Sequence, residues 1–311
     1  MKLHILDVSN YIYAGTYSGR TIQRGIREDN GEYGPNEAPI GGVRFLLHQI
    51  GIILRDKDAV VMPVFDTPPK IKRQMYAETY GDEFGYKAGR KKKDISIDAQ
   101  KNYAEDILRD MGFVVQKADD YEADDVIHSL VYYYKNDFDH IYIHTKDSDL
   151  YYLIDNNVSI ATVGDKGKNI DIYNYMSECK SGEFTQYNTV HINKLIKGDT
   201  SDNIPGRGKV WGAAIYEQLQ PEDFYKLGDL DFARKKIRDA IAAHPEYPNS
   251  MLLYKTFNLL VPLLVPYEMI DDTESDINED KLIYYLHDWN AKEDKWGLED
   301  ILAEYIDTYY K

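Results

Sequence analysis

Three separate apolar runs in this chain lead into aspartate, and that recurrence limits the fold more than any bulk property. Lys2–Leu6 runs into Asp7, Ala59–Phe65 into Asp66, and His140–His144 is followed closely by Asp147 and Asp149. Each run is short and dominated by apolar residues, the pattern of a buried strand. Between them lie stretches at helical spacing: Val43, Leu46, Leu47, Ile50 and Leu54 after Gly41-Gly42; Tyr103, Ile107, Leu108 and Met111 up to Gly112; and Val126, Ile127, Leu130, Val131 and Tyr134. Such alternation predicts an α/β fold with a central, mostly parallel sheet flanked by helices. In sheets of that kind functional groups collect beyond the carboxyl ends of the strands. Two further strands are expected at Phe113–Val115 and Val158–Val163. Pro63, inside the Ala59–Phe65 run, removes a ladder donor and weakens the C-terminal half of that strand.

A chain of 311 residues suits one large α/β domain with an appended region. We place a boundary near residue 185, with an α/β domain over 1–185 and a mainly helical region over 186–311. Thr16–Pro39 and roughly 67–98 read as loops. The apolar fraction of 43% predicts a substantial core. The longest apolar candidate for a membrane span, Leu259–Val265, is short and broken by Pro262, so no membrane helix is expected. The N-terminus enters a strand pattern at once, which is not the pattern of a signal peptide. The single cysteine, Cys179, has no internal disulfide partner, and a reducing, cytoplasmic setting follows as the expectation.

Further carboxylates join those at the strand ends. Glu122, Asp124 and Asp125 open the Val126 helix, and Asp199 and Asp202 sit in the turn Gly198–Gly206. Singly, each has an ordinary explanation. Aspartate is a common turn residue, acids in a first helical turn favour the macrodipole, and Asp119 or Asp120 would serve as a helix cap. The whole set is harder to dismiss. Asp7, Asp66, Glu122, Asp124, Asp125, Asp147, Asp149, Asp199 and Asp202 would repel one another at one sheet edge unless cations were bound. An all-oxygen donor set favours Mg²⁺, with Mn²⁺ as a substitute, over Zn²⁺. His128 reads as a surface or packing residue rather than a ligand. Two ions roughly 3.5–4 Å apart would clamp the attacking and leaving oxygens of a phosphodiester.

The formal charge of −16 speaks against a polyanionic partner only on average. From Asp271 to Lys311 there are 13 acids against 4 bases. Between Lys70 and Lys101 the balance reverses to 9 bases against 5 acids. The densest cationic run, Tyr86-Lys87-Ala88-Gly89-Arg90-Lys91-Lys92-Lys93, reads in isolation as a solvated loop. Because it follows the Asp66 strand, it would emerge beside the carboxylates. Lys87, Arg90, Lys91 and Lys92 would then meet phosphates, and Tyr86 would offer a stacking face to a base. Gly206-Arg207-Gly208-Lys209 would cradle a phosphate on backbone N–H groups before a helix.

Taken in order, these pieces resemble the 5′-nuclease or flap-endonuclease family, especially its stand-alone phage members. The matching elements are Leu6-Asp7 with Ser9-Asn10; Val64-Phe65-Asp66; Tyr86-Lys87 with Arg90; Tyr121-Glu122-Ala123-Asp124-Asp125; Thr145-Lys146-Asp147-Ser148-Asp149; and Lys197-Gly198-Asp199 with Ser201-Asp202-Asn203. They span roughly residues 1–220. The resemblance implies that Asp7, Asp66, Glu122 and Asp124 serve one metal. Asp147, Asp149 and Asp202 would serve a second, with Asp125 and Asp199 nearby or bound through water. It further implies that Lys87 and Arg90 touch the scissile phosphate from a basic arch over about 67–98. A helix–turn–helix element over about 198–219 would bind duplex backbone, in some relatives with K⁺. Here Arg207 separates the glycines and Lys209 follows directly, a departure that counts against K⁺ but not against phosphate.

The implied activity is metal-dependent hydrolysis at 5′ ends, flaps or RNA primers of branched or nicked duplexes, in phage-type replication. Single-strand-binding or other replication proteins would meet the C-terminal region. Two rival readings stand beside it. One is a non-catalytic, structure-specific DNA-binding or replication accessory protein. The other is a phosphatase of the haloacid-dehalogenase type, which wants Asp-x-Asp after the first strand where this chain has Asp7-Val8-Ser9.

Overall fold

The structure is a computed structural model, and it describes residues 1–17, 41–82, 85–90, 95–163, 170–173, 190–206, 235 and 250–273. Five strands form one sheet: β1 (Lys2–Asp7), β2 (Ala59–Val64), β3 (His140–His144), β4 (Val158–Val163) and β5 (Ile170–Tyr173), in the order β2-β1-β3-β4-β5. The pairings β1 with β2, β1 with β3 and β3 with β4 are parallel, and β5 closes antiparallel on β4. This is the mostly parallel sheet that the strand–helix alternation predicts. Pro63 stays within β2 because β2 is an edge strand, where a missing ladder donor is tolerated. Its carbonyl accepts the N–H of Gln116 at 2.8 Å.

Helices cover both faces. They are α1 (Val8–Tyr17), α2 (Gly41–Ile53), α3 (Lys70–Tyr80), α4 (Ile95–Asp110), α5 (Ala123–Tyr134), α6 (Val190–Lys197) and α7 (Ser250–Leu260). Side chains alternate along β1, so Leu3 and Ile5 meet Val126, Ile127 and Leu130 of α5 together with Phe257 of α7. Leu6 turns to the other face, among Ile12, Leu46, Ile50 and Leu108 of α1, α2 and α4. Each such fully buried aliphatic side chain stabilises the fold by about 1.5–3 kcal/mol. The α1 and α2 backbones come close enough that a Cβ on Gly42 would lie 2.7 Å from the Ile12 carbonyl oxygen. Among the described residues no helix is long and apolar enough to cross a membrane.

Two expectations need correction. Phe113–Val115 is not a strand: the chain leaves α4 through Gly112 at φ 80° and makes two isolated bridges beyond that segment, Gln116 to Val64 and Lys117 to Asp271. The backbone bonds to the β2 edge fall on Gln116 instead, which accepts the Phe65 N–H at 2.9 Å and donates to the Pro63 carbonyl. Residues 67–98 are not simply a loop either. Ile71, Met75, Tyr76 and Tyr80 recur at helical spacing in α3, which ends at Gly81 with φ 74° and a bond from its N–H to the Ala77 carbonyl. Pro68, Pro69 and the density of charge hide that periodicity in the sequence. The boundary near residue 185 falls outside the described residues, as does most of Thr16–Pro39.

Candidate functional site

The register of the parallel strands brings their carboxyl ends level. Asp7 pairs with Val64, and Leu6 with His144. Asp7, 7% exposed, accepts the N–H of Asn10 at 3.1 Å and the hydroxyl of Thr145 at 3.0 Å. Burial, and after it the charge of Asp66, push Asp7 up to about 7. Asp66 accepts Ser9 Oγ at 2.5 Å, the Ala123 N–H at 3.1 Å and Lys101 Nζ at 3.2 Å. Desolvation alone would raise its pKa, but the Lys101 ammonium and these hydrogen bonds hold it well below the ordinary carboxylate range.

The start of α5 contributes the next group. Glu122 is the N-cap residue, and its own N–H donates to Asp125 at 3.0 Å. Asp119 and Asp120 therefore do not serve as the cap. Both oxygens of Asp125 are committed, since the other accepts the Leu263 N–H at 2.7 Å, and the residue is 0% exposed. Lys72 of α3, itself buried, lies 3.3 Å from both Glu122 and Asp125. Burial opposes charge on Glu122, yet Lys72 and Lys87 hold it below its ordinary range. Asp124 is less well compensated. Burial first, then Asp147, Asp7 and Glu122, push it well above the usual carboxylate range, against a weaker pull from Lys72.

The remaining acids come from less regular structure. Asp147 caps a 3₁₀ helix over Ser148–Leu153 by accepting the Asp149 N–H at 2.9 Å. Lys194 of α6 bridges Asp149 and Asp199, the latter at 2.6 Å. Asp199 also accepts the N–H and hydroxyl of Ser201 at 2.9 and 2.5 Å. Although burial opposes it, these bonds and Lys194 hold Asp199 down at about 2. Two short strands, β6 (Gly198–Asp199) and β7 (Ile204–Pro205), make the hairpin that carries Asp199 and Asp202. Gly198 is obligatory there, since its φ is 88° and a Cβ at that position would lie only 2.6 Å from the Gly206 nitrogen.

The basic turn docks on this hairpin. Lys87 pairs with Glu122, and Arg90 Nη2 lies 2.6 Å from Asp202. Lys87 has φ 61°, a left-handed conformation that disfavours a side-chain-bearing residue by about 1–2 kcal/mol. Its surroundings hold it there, through a bond from the Lys87 N–H to the Asp202 carbonyl at 3.1 Å. Tyr86 differs from its sequence reading. It is 3% exposed, and its hydroxyl donates toward Glu122 at 2.9 Å and Asp202 at 3.3 Å. A ring buried between two carboxylate groups and Tyr76 has no free face for a base. Lys91, Lys92, Arg207, Gly208 and Lys209 lie outside the described residues; Gly206 stands at the end of the hairpin.

The charge interactions link Asp7, Asp66, Glu122, Asp124, Asp147, Asp149 and Asp199 in one chain of neighbours, and Tyr86 ties Asp202 to Glu122. The acids thus share one edge of the sheet. Among the described residues no three of them are drawn into a ready coordination sphere. Basic side chains stand between them instead. Nothing in the sequence singles out Lys72, Lys101 and Lys194 for this role, because a lysine in a helix ordinarily marks a solvated face. Of the two readings of His128, surface or packing, the structure selects packing: it is buried, with the Tyr152 hydroxyl at 2.8 Å.

The sequence profile described as the 5′-3′ exonuclease N-terminal resolvase-like domain matches residues 2–181, and the chain belongs to that family. It is 29% identical over 250 residues to a DNA polymerase I of Caldicellulosiruptor bescii, matching 78% of this chain and 27% of that protein. The chain therefore spans about a quarter of that relative's length. It is 28% identical over 222 residues to a 5′-3′ exonuclease of Bacillus subtilis, covering 70% of each. Among solved structures, a bacteriophage T5 D15 flap endonuclease in a pseudo-enzyme-product complex with DNA and metal ions superposes with a TM-score of 0.51. Its identity is 17%, over 99% of both chains, a likeness of fold.

Proposed function

We propose that this protein is a divalent-metal-dependent 5′ nuclease, hydrolysing phosphodiesters at 5′ ends, flaps or RNA primers of branched or nicked duplexes in phage-type DNA replication. The observation that carries the reading is the meeting of acids from three strand ends, the α5 start and the Gly198–Gly206 hairpin, faced by Lys87 and Arg90.

The residues present fit two Mg²⁺ ions, with Mn²⁺ as a substitute. The donors are all oxygen, and Asp7 and Asp124 are pushed upward by burial first and by neighbouring acids second, both of which a bound cation would offset. Asp7, Asp66, Glu122 and Asp124 would hold one ion, and Asp147, Asp149 and Asp202 the other, with Asp199 beside it. Asp125, both of whose oxygens are already engaged, would support the first group from behind. Bound divalent ions would supply Lewis-acid polarisation of the phosphoryl group and lower the pKa of water.

The chain's own groups do the rest. Lys87 and Arg90, each paired with an acid of the site, would neutralise charge growing on the phosphoryl oxygens. Tyr86 would hold Glu122 and Asp202 at fixed spacing rather than stack a base. Lys91, Lys92 and the Gly206–Lys209 segment, within a duplex-binding element over about 198–219, would grip backbone phosphates. The region after 186 would meet other replication proteins.

A 5′-labelled flap or nicked duplex tests the reading. Incubation with Mg²⁺ should release fragments with 5′-phosphate and 3′-hydroxyl ends, and EDTA should abolish release. No release with Mg²⁺, or equal release with EDTA, sinks it.

A further inference from the structure

The motif Asp202-Asn203 ends on a residue that the chemistry above leaves without a task. Asn203 has φ 60°, a conformation that asparagine tolerates better than most residues. Its side-chain amide donates to the Gly85 carbonyl at 2.9 Å. Its own carbonyl accepts the Tyr76 hydroxyl at 2.8 Å. It is thereby fastened both to the turn that opens with Gly85 and to α3, which precedes that turn. Gly85 is packed so closely that a Cβ there would collide with the Tyr76 ring. From Gly85 the turn continues through bonds from the Ala88 N–H to the Gly85 carbonyl and from the Arg90 N–H to the Lys87 carbonyl, each 3.1 Å. The Lys87 N–H reaches Asp202 and Arg90 Nε reaches the Ser201 carbonyl at 3.1 Å. Asn203 thus anchors the first residue of a stiff turn whose next members are Tyr86, Lys87 and, three further on, Arg90.

We propose that Asn203 is a positioning residue that holds the Gly85–Arg90 turn against the hairpin so that Lys87 stands over the carboxylates, while Arg90 keeps its own bonds to the Ser201 carbonyl and to Asp202. The inference rests on the nuclease reading. It adds that the hairpin sets the placement of the cationic side chains as well as carrying acids of its own. Without the Asn203 amide, the left-handed conformation at Lys87 loses part of what over-determines it, and the ammonium loses its aim.

The test is a double-mutant cycle on flap cleavage under single-turnover conditions. Asn203→Gly keeps access to the left-handed backbone and deletes only the side chain. It should slow cleavage by about 100-fold, the scale of a misplaced catalytic group, while the melting temperature stays close to the parent's. In a Lys87→Ala background the same change should alter the residual rate by no more than about twofold. Tyr76→Phe, which removes one hydroxyl, should show the same dependence on Lys87 with a smaller loss, about 10-fold. Hydrogen exchange at the Lys87 amide in metal-free protein should quicken in Asn203→Gly. Equal losses with and without Lys87, or an unchanged Lys87 amide beside full activity, overturn the proposal. A parent protein that cleaves nothing with Mg²⁺ removes the nuclease reading instead, while the amide exchange still reports on the clamp.

Discussion

Asp7, Asp66, Glu122 and Asp124 stand on β1, just past β2 and at the start of α5, whereas Asp149, Asp199 and Asp202 stand on a 3₁₀ helix and a hairpin of two-residue strands. On the sheet side, backbone and hydroxyl donors orient the acids: the N–H groups of Asn10 and Ala123, Ser9 Oγ and Thr145 Oγ. On the hairpin side, Lys194 and Arg90 do much of the holding. The sheet side is therefore preformed on rigid elements; Lys101 pairs Asp66, Lys72 and Lys87 pair Glu122, and Asp7 and Asp124 are pushed upward by burial first and neighbouring acids second. The hairpin side depends on ion pairs across elements, and its Asp149 is also pushed upward, by burial first and then by Asp147, against the pull of Lys194. Added positive charge would relieve Asp7 and Asp124 on the sheet side and Asp149 on the other.

Neutralising one acid on each side sharpens this contrast most. Asp124→Asn and Asp202→Asn should each slow flap cleavage by about 1,000-fold, since each removes a proposed ligand. Their effects on the metal-free fold should differ in sign. Asp124→Asn relieves repulsion and should raise the melting temperature, whereas Asp202→Asn strands Arg90 and should lower it slightly. Melting shifts of the same sign in EDTA would break the comparison.

Acid probes the sheet side from beneath. His4 and His144 face each other across β1 and β3 at 2.9 Å, with Tyr11 on the far nitrogen of His144 at 3.1 Å. Burial lowers His4 to about 4 and holds His144 well below its ordinary value. A histidine whose folded pKa lies below its unfolded one contributes stability above the unfolded value, near 6.5, and loses it as pH falls toward about 4. For His4 alone that window is worth about 3 kcal/mol. Because Asp7 and Asp124, both pushed upward, act in the opposite sense over this window, the His4 share is read as a difference: denaturant titrations of metal-free protein from pH 7 to 4 should show a less acid-labile profile in His4→Gln than in the parent. An identical profile in the variant would remove His4 from the account.

Lysine substitutions give the smallest effects. Lys194→Met leaves Asp149 and Asp199 facing one another and should destabilise the metal-free protein by about 1–2 kcal/mol, a partly exposed pair being worth less than a buried one. Lys101→Met, removing one partner of Asp66 where other donors remain, should change it by about 0.5 kcal/mol. Mg²⁺ should restore most of the loss in both, read as thermal shifts with and without EDTA. A larger effect at Lys101 than at Lys194 would reverse the assignment of which side depends on ion pairs.

Strand ends, the α5 acids and the Gly198–Gly206 turn are legible in the sequence because each depends on residues within a few positions of one another. Hydrophobic periods locate β1, β2, β3 and α5, and the acids follow directly from those boundaries. The mostly parallel sheet follows from the alternation. Less local features escape such reasoning. The α3 helix is obscured by Pro68-Pro69 and by charge, and Phe113–Val115 has strand composition while the bonds to the β2 edge fall on Gln116. Tyr86 carries the composition of a stacking residue but is buried by packing against Tyr76 and by its bonds to two acids.

Composition and order along the chain were enough to indicate that many acids would gather at one sheet edge, because the parallel strands β1 to β4 send their carboxyl ends the same way. Which cation meets which acid was decided only by the tertiary structure. Lys72 reaches Glu122 across 50 residues, Lys101 reaches Asp66 across 35 and Arg90 reaches Asp202 across 112. An ion pair between helices depends on how those helices pack, and hydrophobic spacing within either one carries no record of the other.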